Sequence, residues 1–354
     1  MALNFYEHEN FIGERGMFVR DGDLAIESSF HPPGAHGYIE KFRHRSEQFY
    51  FIRHGVLEGE YLCFQGVLFL QRTGEWIKAN LSELNVDADE RVEQLCSSDY
   101  FKENISALID VWERYPLVEN LPVLSDPNIE NYYHFSLDLL PRFRFLDLSK
   151  IHAIVIPMML NVRPFQTDLL SRVLGNGKKI LFFNDIFRIK NPILVHAHPT
   201  QEAIGWLRQT INISTKPGTQ SYYIRRPSPS TEKTPHREIS LDGGIERVLD
   251  EFNFKTVEFT GDQAVHDQVN MLEGAGIVLA VHGANLTNIV YLHPPLVVIE
   301  ILSSKHTENL YYYISAVLGF RYHAIISDQY DAEGRIIVDS DHLRSILNQY
   351  HMKR

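Results

Sequence analysis

The chain has little cysteine: Cys63 and Cys96 are the two in 354 residues. They form neither a C-x-x-C pair nor a bridge framework, which excludes a disulfide scaffold and suits a reducing compartment. No stretch approaches the roughly 18 consecutive apolar residues of a membrane span, so none is predicted. The opening residues 1–16 carry no basic segment followed by an apolar run, so no secretory leader is expected. Four N-x-S/T triplets begin at Asn80, Asn104, Asn212 and Asn285, and without a leader they read as chance. Positive charge is scarce: 34 Lys and Arg against 45 Asp and Glu give a formal charge of −11. That argues against a general nucleic-acid surface, and it means an anionic ligand must meet a local basic pocket. There is no G-x-G-x-x-G, P-loop or G-x-S-x-G, which counts against dinucleotide enzymes, P-loop NTPases and α/β-hydrolases. The 17 histidines are scattered without metal-ligand spacing, so no zinc site is expected. Asp-x-Asp triplets occur at Asp21–Asp23, Asp87–Asp89 and Asp339–Asp341. They read as turns and caps, the last opening a terminal helix where Asp or Ser serves as N-cap.

What the chain does have is concentrated in Ile277–Leu302. This reads as a buried strand, a tight turn His282-Gly283-Ala284-Asn285, a short helix, a break at Pro294-Pro295 and a second buried strand. N–H groups at such a helix start lack partners and attract anions, and Gly283 and Ala284 lack bulk, so a phosphate can approach the backbone. A plain βαβ crossover would give the same pattern. Glu300 lies inside the otherwise apolar Val297–Leu302, where a carboxylate is costly unless paired. It can accept the ribose hydroxyls of a nucleotide, or end the strand in solvent beside Lys305.

Two further segments carry chemistry. Tyr222–Arg225 reads as a strand followed by Arg226. Guanidinium groups pair bidentately with phosphate, and a strand's C-terminal end in an open α/β sheet faces the ligand crevice. Arg237 is a second basic position; the plainer reading is solvated arginines heading a loop. Tyr133–Leu146 reads as a helix with His134, Asp138 and Arg142 at i, i+4 and i+8, beside an apolar stripe of Phe135, Leu139, Phe143 and Leu146. A histidine oriented by a carboxylate can act as a general base; the plainer reading is a local Asp–Arg surface pair. Pro141 is expected to kink or end this helix.

Together these segments resemble glycosyltransferase family 61. The run His282–Asn288, then Pro294-Pro295 and Val297–Ile301, is similar to the family's C-terminal signature. Asn131–His134 with Leu137–Arg142 resembles its N-terminal element. Tyr222–Arg226 with Arg237-Glu238-Ile239 resembles its central element, although Ser240 stands where the family usually has Asn. Glu258 stands where a family Glu precedes the helix leading into the signature. The first 120 residues carry no part of the resemblance. The family includes plant xylan xylosyl- and arabinosyltransferases, animal protein O-GlcNAc transferases of the secretory pathway and many bacterial capsular-polysaccharide proteins. The bacterial-type branch suits this chain.

The resemblance implies an inverting transfer from a nucleotide sugar, a UDP-sugar such as UDP-GlcNAc or UDP-xylose. The acceptor is a hydroxyl of a glycan or lipid-linked glycan in capsule or surface polysaccharide synthesis. It implies His134 as base with Asp138 orienting it, and Arg225 on the nucleotide phosphates. Arg226, Arg237, His282, Gly283, Ala284, Asn285 and Glu300 complete the nucleotide-sugar site, and Arg142 contacts acceptor or donor. No metal or other cofactor is expected, because the helix start and arginines can take its place on the departing diphosphate. The expected location is cytoplasmic, at the inner face of the membrane with peripheral association. The alternative is a non-catalytic nucleotide- or glycan-binding subunit of a polysaccharide assembly complex.

The organisation expected is α/β and GT-B-like: two Rossmann-like domains with a β-rich N-terminal extension. Residues 1–120 form the extension packed on the first domain, with strands over Gln48–Ile52, Gly59–Cys63 and Val67–Leu70, a hairpin turn at Gln65-Gly66 and a helix over 87–115. Residues 121–198 form the acceptor-side domain and 199–340 the nucleotide-sugar domain. Residues 341–354 form a helix packing back across the junction. A capping box Thr260-Gly261-Asp262-Gln263 is read as opening the helix that carries Val265, Val269 and Leu272.

Overall fold

The computed structural model describes residues 3–4, 11–18, 50–64, 67–70 and 76–78, and 111–351 apart from 125–128, 158–161, 176–178, 184–186, 198–200, 214, 227–236, 242, 306–307 and 309. The Gln65-Gly66 turn, the helix read over 87–115 up to residue 110, and the Asp21–Asp23 and Asp87–Asp89 triplets lie outside the described residues. The chain forms two compact units that part between Ile211 and Asn212.

The strands of the first unit are β1 (Leu3–Asn4), β2 (Phe11–Phe18), β3 (Tyr50–Leu57), β4 (Glu60–Phe64), β5 (Val67–Leu70), β6 (Trp76–Lys78), β7 (Leu117–Glu119), β8 (Pro122–Val123), β9 (Ala153–Pro157), β10 (Lys179–Phe183), β11 (Phe187–Lys190) and β12 (Ile193–Ala197). Among the described residues they build two mixed sheets, ordered β1-β6-β5-β4-β11-β7 and β10-β9-β8-β12-β3-β2. In the second sheet β10, β9, β8 and β12 run parallel, and β3 and β2 add to them antiparallel. The N-terminal strands are hydrogen-bonded into these sheets as well as packed near them: β4 pairs with β11 and β3 with β12. Unpaired strand edges need partners, and these short strands find them in the segment that follows.

Helix α1 (Pro164–Leu174) buries the stripe Phe165, Leu169 and Val173, spaced at i, i+4 and i+8. Its start is fixed by Gln166 Oε1 accepting the Arg163 N–H at 2.7 Å, and it ends at Gly175 with φ +65°. Helix α2 (Gln201–Ile211) closes the unit.

The second unit is a five-stranded parallel sheet: β13 (Gln220–Arg225), β14 (Phe254–Glu258), β15 (Ala275–Val281), β16 (Val297–Ser303) and β17 (Arg321–Ser327), in the order β14-β13-β15-β16-β17. Counted from β13, that order is 2-1-3-4-5, a doubly wound arrangement whose direction reverses between β13 and β15. Its helices are α3 (Gly243–Glu251), α4 (Val265–Asn270), α5 (Leu310–Val317) and α6 (Ser340–His351). Every residue of β16 is buried, as a central strand covered on both faces requires. On one face Tyr223, Ile277, Leu279, Ile299, Ile301 and Ile325 pack against Ile245 and Val248 of α3 and Leu343, Ile346 and Leu347 of α6. The alternate residues Val278, Val298, Glu300, Leu302 and Tyr322 are buried on the other face, where the Tyr312 ring of α5 meets Tyr322 edge-on. Helix α6 thus packs on α3, with Arg344 Nε donating to Glu251 2.9 Å away.

Three local expectations change. The Thr260–Gln263 segment forms a turn, with Gln263 Oε1 accepting the Thr260 N–H, and α4 starts only at Val265. The helix after His282 is 3-10, Ala284–Tyr291. The segment His134–Phe145 is a π-helix over His134–Leu139 followed by a 3-10 helix over Leu140–Phe145, in place of the α-helix read from the sequence. Pro141 explains this: it has no N–H for the Leu137 carbonyl, and its ring clashes with that carbonyl, so an α ladder cannot run through. The apolar stripe survives the change, since Phe135, Leu139, Phe143 and Leu146 are all buried.

Candidate functional site

In the first unit, Asn131 Oδ1 accepts the Tyr133 N–H and sets the entry to the π-helix. His134 Nδ1 then donates to Asp138 Oδ2 at 2.7 Å, both side chains about one quarter exposed. This is the geometry a general base needs: a carboxylate fixing the ring and a second nitrogen for the proton. Arg142 departs from its expected place. Its Nε donates to the Asp138 backbone carbonyl at 2.7 Å, and only 2% of its surface is exposed. This bond braces the irregular helix from inside.

In the second unit, the sequence-predicted basic and turn residues gather at the C-terminal ends of β13 and β15. Arg225 ends β13 and Arg226 follows it, and His282-Gly283-Ala284-Asn285 follow β15. These are neighbouring strands, and the strand order reverses between them, the place where open α/β sheets hold their ligands. Arg225 Nε lies 3.3 Å from Glu258 Oε1 at the end of β14, both side chains more than 40% exposed. An exposed pair of this kind is worth about 0–1 kcal/mol, so a phosphate can displace the carboxylate cheaply. Arg237 stands in the segment after β13, and its charge is felt at the Tyr311 hydroxyl.

Gly283 has extended backbone, φ 163° and ψ 166°, and precedes the 3-10 helix. The first hydrogen bond of that helix runs from Leu286 N to Gly283 O, leaving the Ala284 and Asn285 N–H groups ahead of its ladder. Tyr311 of α5 donates to the same Gly283 carbonyl at 2.7 Å, and Thr287 Oγ1 donates to the Tyr311 oxygen, 3.1 Å away. Asn288 ties the helix to α4 through Gln268. Burial pushes the Tyr311 hydroxyl up from its ordinary value; the Thr287 bond and Arg237 act the other way. Burial and then Arg225 act in opposite senses on Tyr223 inside β13, leaving it at about 12. Both phenols stay neutral near neutral pH.

Glu300 is placed differently from its expectation. It is fully buried and turned towards His282, whose Nδ1 donates to Oε1 at 2.6 Å; Tyr322 Oη donates to Oε2. In this arrangement His282 takes one of its carboxylate oxygens and Tyr322 the other. The sequence reading missed Tyr311 and Tyr322. The signal available was three consecutive tyrosines, Tyr311–Tyr313, in an otherwise apolar helix. Asp339 Oδ1 accepts the Asp341 and His342 N–H groups, so the third Asp-x-Asp triplet caps α6.

The parallel sheets and the cluster at the switch point are compatible with a Rossmann-like glycosyltransferase fold. Residues 132–299, just under half of the chain, match the family model Glycosyltransferase 61. The match supports membership of glycosyltransferase family 61 over this region, and with it a glycosyltransferase acting with a sugar donor and a glycan acceptor. No curated protein matches the chain.

Proposed function

We propose that the protein is an inverting, metal-independent glycosyltransferase of GT-B-like organisation. It moves a sugar from a UDP-sugar, such as UDP-GlcNAc or UDP-xylose, to a hydroxyl of a glycan or lipid-linked glycan. The observation that carries this is the convergence of the β13 arginines and the β15 turn at the switch point, inside the family-matched segment. The second unit takes the nucleotide sugar and the first unit the acceptor. His134, oriented by Asp138, accepts the acceptor hydroxyl proton. The acceptor oxygen bonds to the anomeric carbon from the face opposite the diphosphate, whose bond breaks with the electron pair staying on phosphate. Arg225, Arg226, Arg237 and the N–H groups at Gly283–Asn285 receive that charge, the task a metal ion performs in other transferases. Capsule or surface polysaccharide synthesis at the cytoplasmic face of a membrane is the setting proposed; no described helix is long and apolar enough to cross one.

The test is a thermal-shift panel of UDP, GDP, CDP, CMP, ADP and NAD, with EDTA or manganese, on the wild type and His134→Ala. A ligand at roughly a hundred times its Kd stabilises by about 2.7 kcal/mol. UDP should raise the melting temperature of both proteins in EDTA, and only the wild type should turn over a UDP-sugar. A response that needs manganese would overturn the metal-independent part, and a response to another nucleotide would replace UDP. Silence to every nucleotide would favour the non-catalytic glycan-binding reading.

A further inference from the structure

Lys305 stands two residues past the end of β16, and its backbone ladder sets its place. Val281 pairs with Ile301, and the His282 N–H donates to the Ile301 carbonyl, so Gly283 comes level with Ser303. Ile224 pairs with Ala280, so Arg226 comes level with His282. The strands are parallel and neighbouring, so Arg225-Arg226, the turn after His282 and Ser303–Lys305 leave one edge of the sheet, on strands about 5 Å apart. A second set of contacts points to the same place. Ile336 bridges both Ile239 and Tyr330, and its N–H donates to the Glu238 carbonyl at 2.7 Å. The segment just after Arg237 and the tyrosine beside Lys305 are thus tied to one backbone position. The ammonium itself is oriented: Lys305 Nζ lies 4.5 Å from the centroid of the Tyr330 ring. The Tyr330 and Ser303 hydroxyls bond to each other at 2.7 Å, and Ser303 Oγ accepts the Lys305 N–H at 3.1 Å. Ser303 is buried, which anchors this arrangement inside the fold, while Lys305 is exposed. A ring face orients a cation without neutralising it, so the charge remains available to an anion.

We propose that Lys305 is a further contact of the nucleotide sugar, its ammonium hydrogen-bonded to the diphosphate, and that Tyr330 is its positioning residue. The chain carries a formal charge of −11, so a diphosphate is held where cations are gathered against that background. Arg225, Arg226 and Arg237 supply charge from β13 and the segment after it. Lys305 supplies it from β16, on the other side of the Gly283–Asn285 turn. A diphosphate has non-bridging oxygens on both phosphorus atoms, so cations on both sides of the turn can engage it together. When the bond to the anomeric carbon breaks, the electron pair stays on the leaving diphosphate, and a cation already in place stabilises it. The inference rests on the donor reading above and adds to it a residue that neither the motifs nor the β13 and β15 ends supply.

The test is calorimetry of UDP and of inorganic pyrophosphate binding to the full chain, at low and at high salt. The proteins compared are the wild type, Lys305→Met, Lys305→Arg, Tyr330→Leu, the Lys305→Met/Tyr330→Leu double variant and Arg225→Ala, with melting temperatures measured alongside. Lys305→Met should keep the wild-type melting temperature, bind both probes about tenfold more weakly at low salt and lose part of the salt dependence. Lys305→Arg should recover most of the affinity, because the charge returns. Tyr330→Leu should weaken binding by less, and in the double variant it should add nothing to the loss from Lys305→Met. If Tyr330→Leu does not fold, Ser303→Ala, which removes the anchor of both side chains, takes its place in single and double form. Wild-type affinity in Lys305→Met, with binding weakened in Arg225→Ala, would overturn this inference and leave the donor reading standing. Weaker UDP binding with pyrophosphate unchanged would place Lys305 on the nucleoside and sink the diphosphate contact. An equal loss in Lys305→Arg would show that charge is not what Lys305 supplies. Additive losses in the double variant would remove Tyr330 as its positioning residue. Absence of binding of both probes to the wild type would overturn both readings.

Discussion

Gly283 shows what a single residue contributes. Its backbone is extended, and a Cβ built there would meet nothing nearer than the Val281 carbonyl oxygen at 4.0 Å. The fold therefore does not demand glycine; the ligand does, if a phosphate lies against this backbone. Gly283→Ala should keep the thermal stability within about 0.5 kcal/mol and weaken UDP about tenfold, some 1.4 kcal/mol by titration. Unchanged affinity would remove the turn from the site. The residue scale also shows what a sequence can reveal. His134 and Asp138 are four apart and meet on a helical turn, so spacing alone finds the pair. The partners of Glu300 lie 18 and 22 residues away, one just past β15 and one in β17, beyond the reach of any local pattern.

At the scale of elements, strand and helix types were legible wherever apolar periodicity was strong. The α1 stripe recurs at helical spacing, and β15 and β16 follow apolar runs that suit strands covered on both faces. Helix subtype and start points were less legible. Pro141 was recognised as a disruption, but a π turn followed by a 3-10 turn depends on where the freed carbonyls find new donors, such as Arg142 Nε on Asp138 O. Arg335–Val338 likewise reads as a strand but contributes only isolated bridges, Ile336 to Ile239 and to Tyr330. One element junction makes a sharp prediction. A Cβ on Gly218, ahead of β13, would sit 2.3 Å from the Gly274 carbonyl oxygen, and the Gln220 N–H donates to that same oxygen. Gly218→Ala must displace backbone at the entry to β13 and β15. It should cost about 1–3 kcal/mol in denaturant unfolding; a neutral result would show that this junction yields freely.

For the whole molecule, the division between Ile211 and Asn212 separates the His134–Asp138 pair from the switch-point cluster. If the second unit takes the donor, UDP should slow amide hydrogen exchange within residues 212–351, most strongly after β13 and β15. Its strongest protection within 111–211 would reverse the assignment of donor and acceptor sides. The order of chemical motifs, the open parallel sheet of the second unit, the anion-type turn and the family were all determined by the sequence itself. Each rests on neighbouring residues, whose periodicity and turn chemistry act over a few positions. The tertiary structure alone decided the hydrogen bonding of the N-terminal strands into the first unit's sheets, the burial of Arg142 and the turning of Glu300 towards His282 and Tyr322. Those outcomes depend on which distant strands become neighbours, and strand pairing is settled by the burial and backbone hydrogen bonding of the whole sheet.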